Sequence, residues 1–148
     1  MDAMPLADHR RPSPQEVRQM LGPCRVIAVV GLSPNPSRDS HRVAFYLLAQ
    51  GYTVIPVNPK EEAILGQKCY PSLADIPVPV DMVDVFRASE HAPEVARQAA
   101  AIGAKSLWLQ EGVISGQAEA IAKQAGLAFV QDRCLMVEHR RAHMPAQS

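Results

Sequence analysis

The sequence predicts an α/β fold: one doubly wound, mainly parallel five-stranded sheet with helices on both faces. Residues 26–31 are a continuous apolar run ending in glycine, which suits a strand buried on both faces. Strand-like runs and helical patterns alternate down the chain as β-α-β-β-α-β-α-β, with short connections and no internal repeat. A length of 148 residues fits a single domain able to bury a real core.

The elements follow in order. Residues 1–12 are polar and proline-bearing and read as a flexible tail. Ser13, Pro14 and Glu16 form a capping box with proline at the first helical position, so a short helix runs to Leu21 and stops at Gly22-Pro23. The opening strand takes 25–31, a serine- and proline-rich loop follows, and a helix over 40–50 is closed by Gly51. Strand two is 52–57. Its Pro56 cannot donate to a ladder, which places this strand at a sheet edge or bulge. Residues 61–79 carry Gly66, Pro71, Pro77 and Pro79 and allow only short elements, with a helical turn at 72–75. Strand three is 81–86, helix three 93–102 before Gly103, and strand four 106–109. Helix four is 115–124 before Gly126, and strand five is 127–130. The segment from Asp132 is polar and basic; it is expected to give one helical turn and then free chain. The domain is accordingly read as 13–140, with a second flexible tail at 141–148.

Composition narrows the function classes. Hydrophobic residues make 47% and charged residues 20%, the balance of an ordinary soluble globule. Fifteen basic and fifteen acidic side chains cancel, which argues against binding driven by nucleic-acid backbone charge. Cys24, Cys69 and Cys134 are odd in number and lack C-x-x-C spacing, so a reducing cytoplasm is the expected setting. The first residues lack the apolar core of a signal peptide, and no run approaches the roughly 20 apolar residues of a membrane span.

Ligands of doubly wound sheets bind beyond the carboxyl ends of the strands, where strand order switches. The candidate site therefore gathers four strand ends: residues 31–40, 58–60, 86–87 and 110–112. The first is the strongest. After Gly31 and Leu32 the chain reads S-P-N-P-S-R-D-S, placing Ser33, Ser37, Arg38 and Ser40 where a helix opens. A helix N-terminus offers unpaired amides and partial positive charge to an anion, and Arg38 adds a forked donor. The loop lacks the glycines that a dinucleotide fingerprint would set at Ser33 and Pro36. At the end of strand two, Asn58, Pro59 and Lys60 stand where an NAD site carries a carboxylate. A cation there favours a ribose bearing an extra phosphate, as in NADP or coenzyme A. Arg87 follows strand three beside Phe86 and can reach a pyrophosphate. Gln110 and Gly112 flank the site beyond Trp108, itself read as core.

Catalytic constellations are weak. His139 and His143 are spaced i, i+4 without a third ligand nearby, so a metal centre is not expected. Asp81 and Asp84 face opposite sides of a strand and cannot act as an acid–base pair. Cys134 lies beside Arg133, where a cation lowers a thiol pKa, although an inert buried thiol is the commoner outcome. The corner reads as a binding site without catalytic machinery.

Six blocks in order, V-V-G-L-S-P-N-P-S-R-D-S, V-I-P-V-N-P-K, I-L-G-Q-K-C-Y-P-S-L-A-D-I-P, V-D-V-F-R, L-W-L-Q-E-G-V and D-R-C-L, resemble the small stand-alone CoA-binding proteins over residues 25–140. The fold is similar to the CoA-binding domain of the succinyl-CoA synthetase α subunit and to that of redox-sensing repressors. The resemblance implies a Rossmann-like domain holding coenzyme A or acyl-CoA. Gly31, Ser33, Ser37 and Arg38 would then line the pyrophosphate. Asn58, Pro59 and Lys60 would border the phosphorylated adenosine, and Phe86, Arg87 and Gln110 the remaining wall. The synthetase's second domain, with its phosphorylated histidine, has no counterpart here, so ligase activity is not carried over. Non-catalytic binding is the leading expectation. The rivals are an NADP-binding reductase-like enzyme, a CoA-linked transferase, and a regulatory protein whose basic segment at 133–143 docks on a partner. A homodimer and a mixed disulfide between the CoA thiol and Cys69 or Cys134 are further expectations.

Overall fold

Ser13 starts the first helix. Its Oγ accepts from the Glu16 amide at 3.1 Å while Glu16 Oε1 accepts from the Ser13 amide at 2.8 Å, satisfying two end-of-helix donors at once. Helix α1 (Pro14–Leu21) buries Val17 and Leu21 and leads into strand β1 (Val26–Val30). Helix α2 (Asp39–Ala49) and strand β2 (Thr53–Val57) follow, then a hairpin of β3 (Ala63–Ile64) and β4 (Gln67–Lys68). The remaining elements are β5 (Met82–Val85), α3 (Ala92–Ala101), β6 (Ser106–Leu109), α4 (Gly116–Gln124), β7 (Ala128–Val130) and α5 (Leu135–Ala142). This computed structural model describes residues 10–144, so the tails expected at 1–12 and 141–148 lie outside the described residues over 1–9 and 145–148. No helix among the described residues is long and apolar enough to cross a membrane.

All five long strands are parallel, in the order β2-β1-β5-β6-β7, so the winding reverses between β1 and β5. Helices α1, α2 and α5 cover one face, where Val17, Leu21, Val43, Leu47 and Leu135 pack on Ile27, Val29, Met82 and Trp108. Helices α3 and α4 cover the other, with Val95, Ala96, Ala99, Ala118 and Ala122 against Ala28, Val83, Val85, Leu107 and Leu109. Both faces are therefore dry, which is why the strands read as unbroken apolar runs. Each buried Val or Leu contributes about 1.5–3 kcal/mol over exposure. Trp108 is core as expected, fully buried, and its Nε1 donates to the Arg133 carbonyl at 2.8 Å.

Strand β2 is an edge, as Pro56 requires. The chain after the hairpin runs along its outer side, where the Tyr70 amide donates to the Pro56 carbonyl and the Asn58 amide to the Tyr70 carbonyl, each at 3.0 Å. The expectation of one helical turn followed by free chain after Asp132 is overturned. Helix α5 makes two turns and packs on α1 and α2, with Leu135, Glu138, His139 and Ala142 all buried. The buried Glu138 is neutralised by Arg11 at 3.0 Å and Arg141 at 2.8 Å. His139 Nδ1 meets the Tyr46 hydroxyl at 2.6 Å. Burial, with the neighbouring His143, lowers the His139 pKa to about 4, so it is packed as the neutral ring.

Candidate functional site

The winding reversal puts the loops after β1 and β5 side by side. Gly31 makes this approach workable. Its φ is +85°, and a Cβ placed there would lie 2.5 Å from the Phe86 carbonyl oxygen and 3.3 Å from Arg87 Cγ. Hydrogen bonds knit the corner: the Gly31 amide donates to the Val57 carbonyl at 3.1 Å, and the Phe86 amide to the Val30 carbonyl at 2.8 Å.

The serine hydroxyls have structural work. Ser40 is buried, and its Oγ accepts from the Ser33 amide at 3.0 Å. Ser33 Oγ accepts from the Asn35 amide, and Asn35 Oδ1 takes both the Ser37 amide and the Ser37 hydroxyl, at 2.9–3.1 Å. These bonds fold the loop into consecutive side-chain-closed turns that deliver Arg38 to the N-cap of α2. No side chain caps that helix: the His41 amide bonds back to the Arg38 carbonyl at 3.1 Å, which leaves the Asp39 and Ser40 amides open at its start. Leu32 is wholly buried, and only its carbonyl bears on the site, accepting from Asn58 Nδ2 at 3.0 Å. Asn58 Oδ1 in turn accepts from the Lys60 amide at 2.8 Å. Asn58 thus ties the end of β2 to the β1 loop.

Three cations remain. Arg38, Lys60 and Arg87 are exposed, and none of their side chains forms a hydrogen bond or ion pair among the described residues. They follow β1, β2 and β5, three consecutive strands of the sheet with neighbouring ends about 4.8 Å apart. With Ser37 and Pro59, also exposed, they form an open shelf rather than an enclosed pocket.

Beside the shelf lies a small cavity of about 150 Å³, lined by Asp39, Arg42, Val43, Phe86, Gln110, Cys134 and Met136 among others. Phe86 and Gln110 were expected here; Asp39, Arg42, Cys134 and Met136 were not, because the α5 wall was not foreseen. Arg42 is ion-paired with Asp39. Gln110 is largely spent internally: its Nε2 donates to Asp84 Oδ1 at 2.6 Å and its Oε1 faces the Leu135 amide at 3.4 Å. Asp84 is completely buried, its Oδ2 has no partner, and burial raises its pKa to about 7 against the lowering effect of the Gln110 bond. Burial also raises the Cys134 pKa, against the lowering effect of the Val137 and Met136 amides, so the depressed thiol expected beside Arg133 is not what the site holds. Gly112 stands farther out, its amide donating to Asp132 Oδ1 at 2.8 Å. A cavity of about 390 Å³ at the opposite edge, lined by Met20, Lys105, Ser106 and Phe129 among others, lies at the amino ends of the strands, where this fold class does not place ligands.

Residues 25–140 match the family model described as a CoA binding domain. The uncharacterized protein YneT of Bacillus subtilis is 39% identical over 130 residues, covering 88% of this chain and 96% of that protein. An ADP-forming acetate–CoA ligase II of Archaeoglobus fulgidus is 31% identical over 106 residues, 70% of this chain but only 16% of the ligase. The solved structure of a hypothetical protein from Pyrococcus horikoshii superposes with a TM-score of 0.86 at 42% identity, covering 96% of this chain and 99% of that one.

Proposed function

Because the chain belongs to the CoA-binding domain family, we propose that it binds coenzyme A or an acyl-CoA without transforming it, on the shelf at the β1–β5 reversal. The observation that carries this reading is the set of cations with unpaired side chains, Arg38, Lys60 and Arg87, in the loops that follow three adjacent strands. Arg38 and the open amides of α2 suit a pyrophosphate. Lys60, beyond the end of β2, suits the extra ribose phosphate that separates CoA from its dephospho form. The groups nearest the cavity favour holding over reacting, since burial keeps the Cys134 thiol protonated and Asp84 is sealed from it. The ligase activity of the longer relative is not transferred, as this chain spans about one sixth of it.

Titration calorimetry with CoA, dephospho-CoA, NADP and NAD tests the reading. CoA is expected to bind most tightly; preference for NAD, or no binding of any of the four, refutes it. Arg38→Ala is expected to weaken CoA binding by about 1–3 kcal/mol, the loss of a charge-assisted hydrogen bond. The fold is spared, because the Arg38 side chain makes no cap bond. An unchanged affinity removes Arg38 from the site. Lys60→Ala is expected to erase most of the preference for CoA over dephospho-CoA while sparing dephospho-CoA itself. Equal weakening of both ligands would place Lys60 elsewhere on the nucleotide.

A further inference from the structure

We propose that the apolar groove between α2 and α5 receives the hydrocarbon chain of an acyl-CoA, so that a medium-chain acyl thioester, rather than free CoA, is the preferred ligand. This rests on the CoA reading above and adds the identity of the acyl group. The cavity beside the shelf, about 150 Å³, is too small to enclose more than the end of a pantetheine arm. It adjoins two larger spaces. One, about 340 Å³, shares Glu111, Cys134 and Val137 with it and is charged, with Arg11, Asp132, Arg133 and Glu138 in its walls. The other, about 560 Å³, shares Arg42 and Met136 with it and is floored by Pro36, Phe45, Tyr46 and Ala49. An alkyl chain leaving the small cavity is driven into the second space and repelled by the desolvation cost of the first.

Position supports the same occupant. Pro36 belongs to the loop that follows β1, so the groove opens where the phosphates would sit. Met136 divides cavity from groove and is only partly buried; its unbranched thioether adapts to a passing chain. Phe45 is 63% exposed, which leaves a large aromatic face wet until something covers it. From Arg42 to Ala49 the groove follows α2 for two turns, about 11 Å, room for roughly eight carbons. Arg140, whose guanidinium lies 4.9 Å from the Tyr46 ring centre, closes the far rim with Arg42 and His41 on the near one.

Titration of the full chain with CoA, acetyl-CoA, butyryl-CoA and octanoyl-CoA reads the proposal directly. Acetyl-CoA is expected to bind like CoA, with affinity then rising by up to about fourfold per methylene. Phe45→Ser is expected to flatten that gradient while leaving CoA affinity unchanged. Val78→Ser, which removes an exposed apolar residue outside the groove, should keep it. Equal affinity for CoA and octanoyl-CoA overturns the inference and leaves the CoA reading intact. So does a gradient that survives Phe45→Ser, or a wild-type dimer in sedimentation that Phe45→Ser dissociates. Failure to bind any of the four ligands removes the CoA reading and this inference with it.

Discussion

Replacing Gly31 with alanine is expected to lower the unfolding free energy by about 2–5 kcal/mol and to abolish ligand binding. Two costs add. At φ +85° an L-residue with a side chain is strained by about 1–2 kcal/mol. The new methyl would also sit 2.5 Å from the Phe86 carbonyl oxygen, which is backbone held by β5 and cannot swing aside; overpacking of this kind costs about 1–3 kcal/mol. The only relief is to separate the β1 and β5 loops, and that carries Arg87 away from Arg38. Against a typical total of 5–15 kcal/mol the loss is severe. Urea denaturation should show a lower midpoint at unchanged slope. A variant within about 0.5 kcal/mol of the wild type, still binding, would show that the two loops do not meet as described.

Asp84→Asn is expected to stabilise the protein, and to do so only above acidic pH. The folded state holds the Asp84 carboxyl at a pKa of about 7, against 3.8 when exposed, because burial penalises the charge. Between those values the folded state keeps a proton that the unfolded chain has released. Wild-type stability from this group is therefore lost as pH rises from about 4 to about 7, by at most about 4 kcal/mol. Asparagine is a neutral isostere that still accepts from Gln110, so it escapes the loss. The difference between variant and wild type should be near zero below pH 4, grow through pH 5–6, and level off above pH 7. His139, whose pKa is lowered to about 4, acts with the opposite sign in both proteins, losing stability as pH falls below about 6.5, and cancels in the comparison. A difference flat with pH would mean that Asp84 is ionised in the fold.

What could be read in the sequence was whatever local chemistry decides. Strand β1, the capping box at Ser13, the glycine stops and the edge position of β2 each follow from one or two residues acting on their own backbone. Helix α5 was illegible because its buried face holds Glu138 and His139. Their partners, Arg11 and Tyr46, lie 127 and 93 residues away, so no periodicity marks the face as apolar. The β3–β4 hairpin escaped notice for a related reason. Two-residue strands have no pattern, and the turn uses Leu65 at φ 55°, where glycine is the usual signal.

At the candidate site, the positions of Arg38, Lys60 and Arg87 followed from strand ends alone. The work done by Ser33, Ser37 and Ser40 did not, since whether a hydroxyl faces a ligand or closes a turn depends on where Asn35 points. Asp84 shows the same limit in the core. In a sheet covered on both faces, alternation cannot tell which side of a strand holds a charge, nor that Gln110 at the end of the neighbouring strand β6 would bond it.

Amide chemical shifts followed during titration of the labelled protein with CoA test the central claim most directly. The account predicts perturbations concentrated at residues 31–40, 58–60 and 86–87, where the unpaired cations and the open end of α2 meet. Shifts centred instead on Met20, Lys105 and Phe129 at the opposite edge, or an unchanged spectrum at saturating CoA, would contradict it.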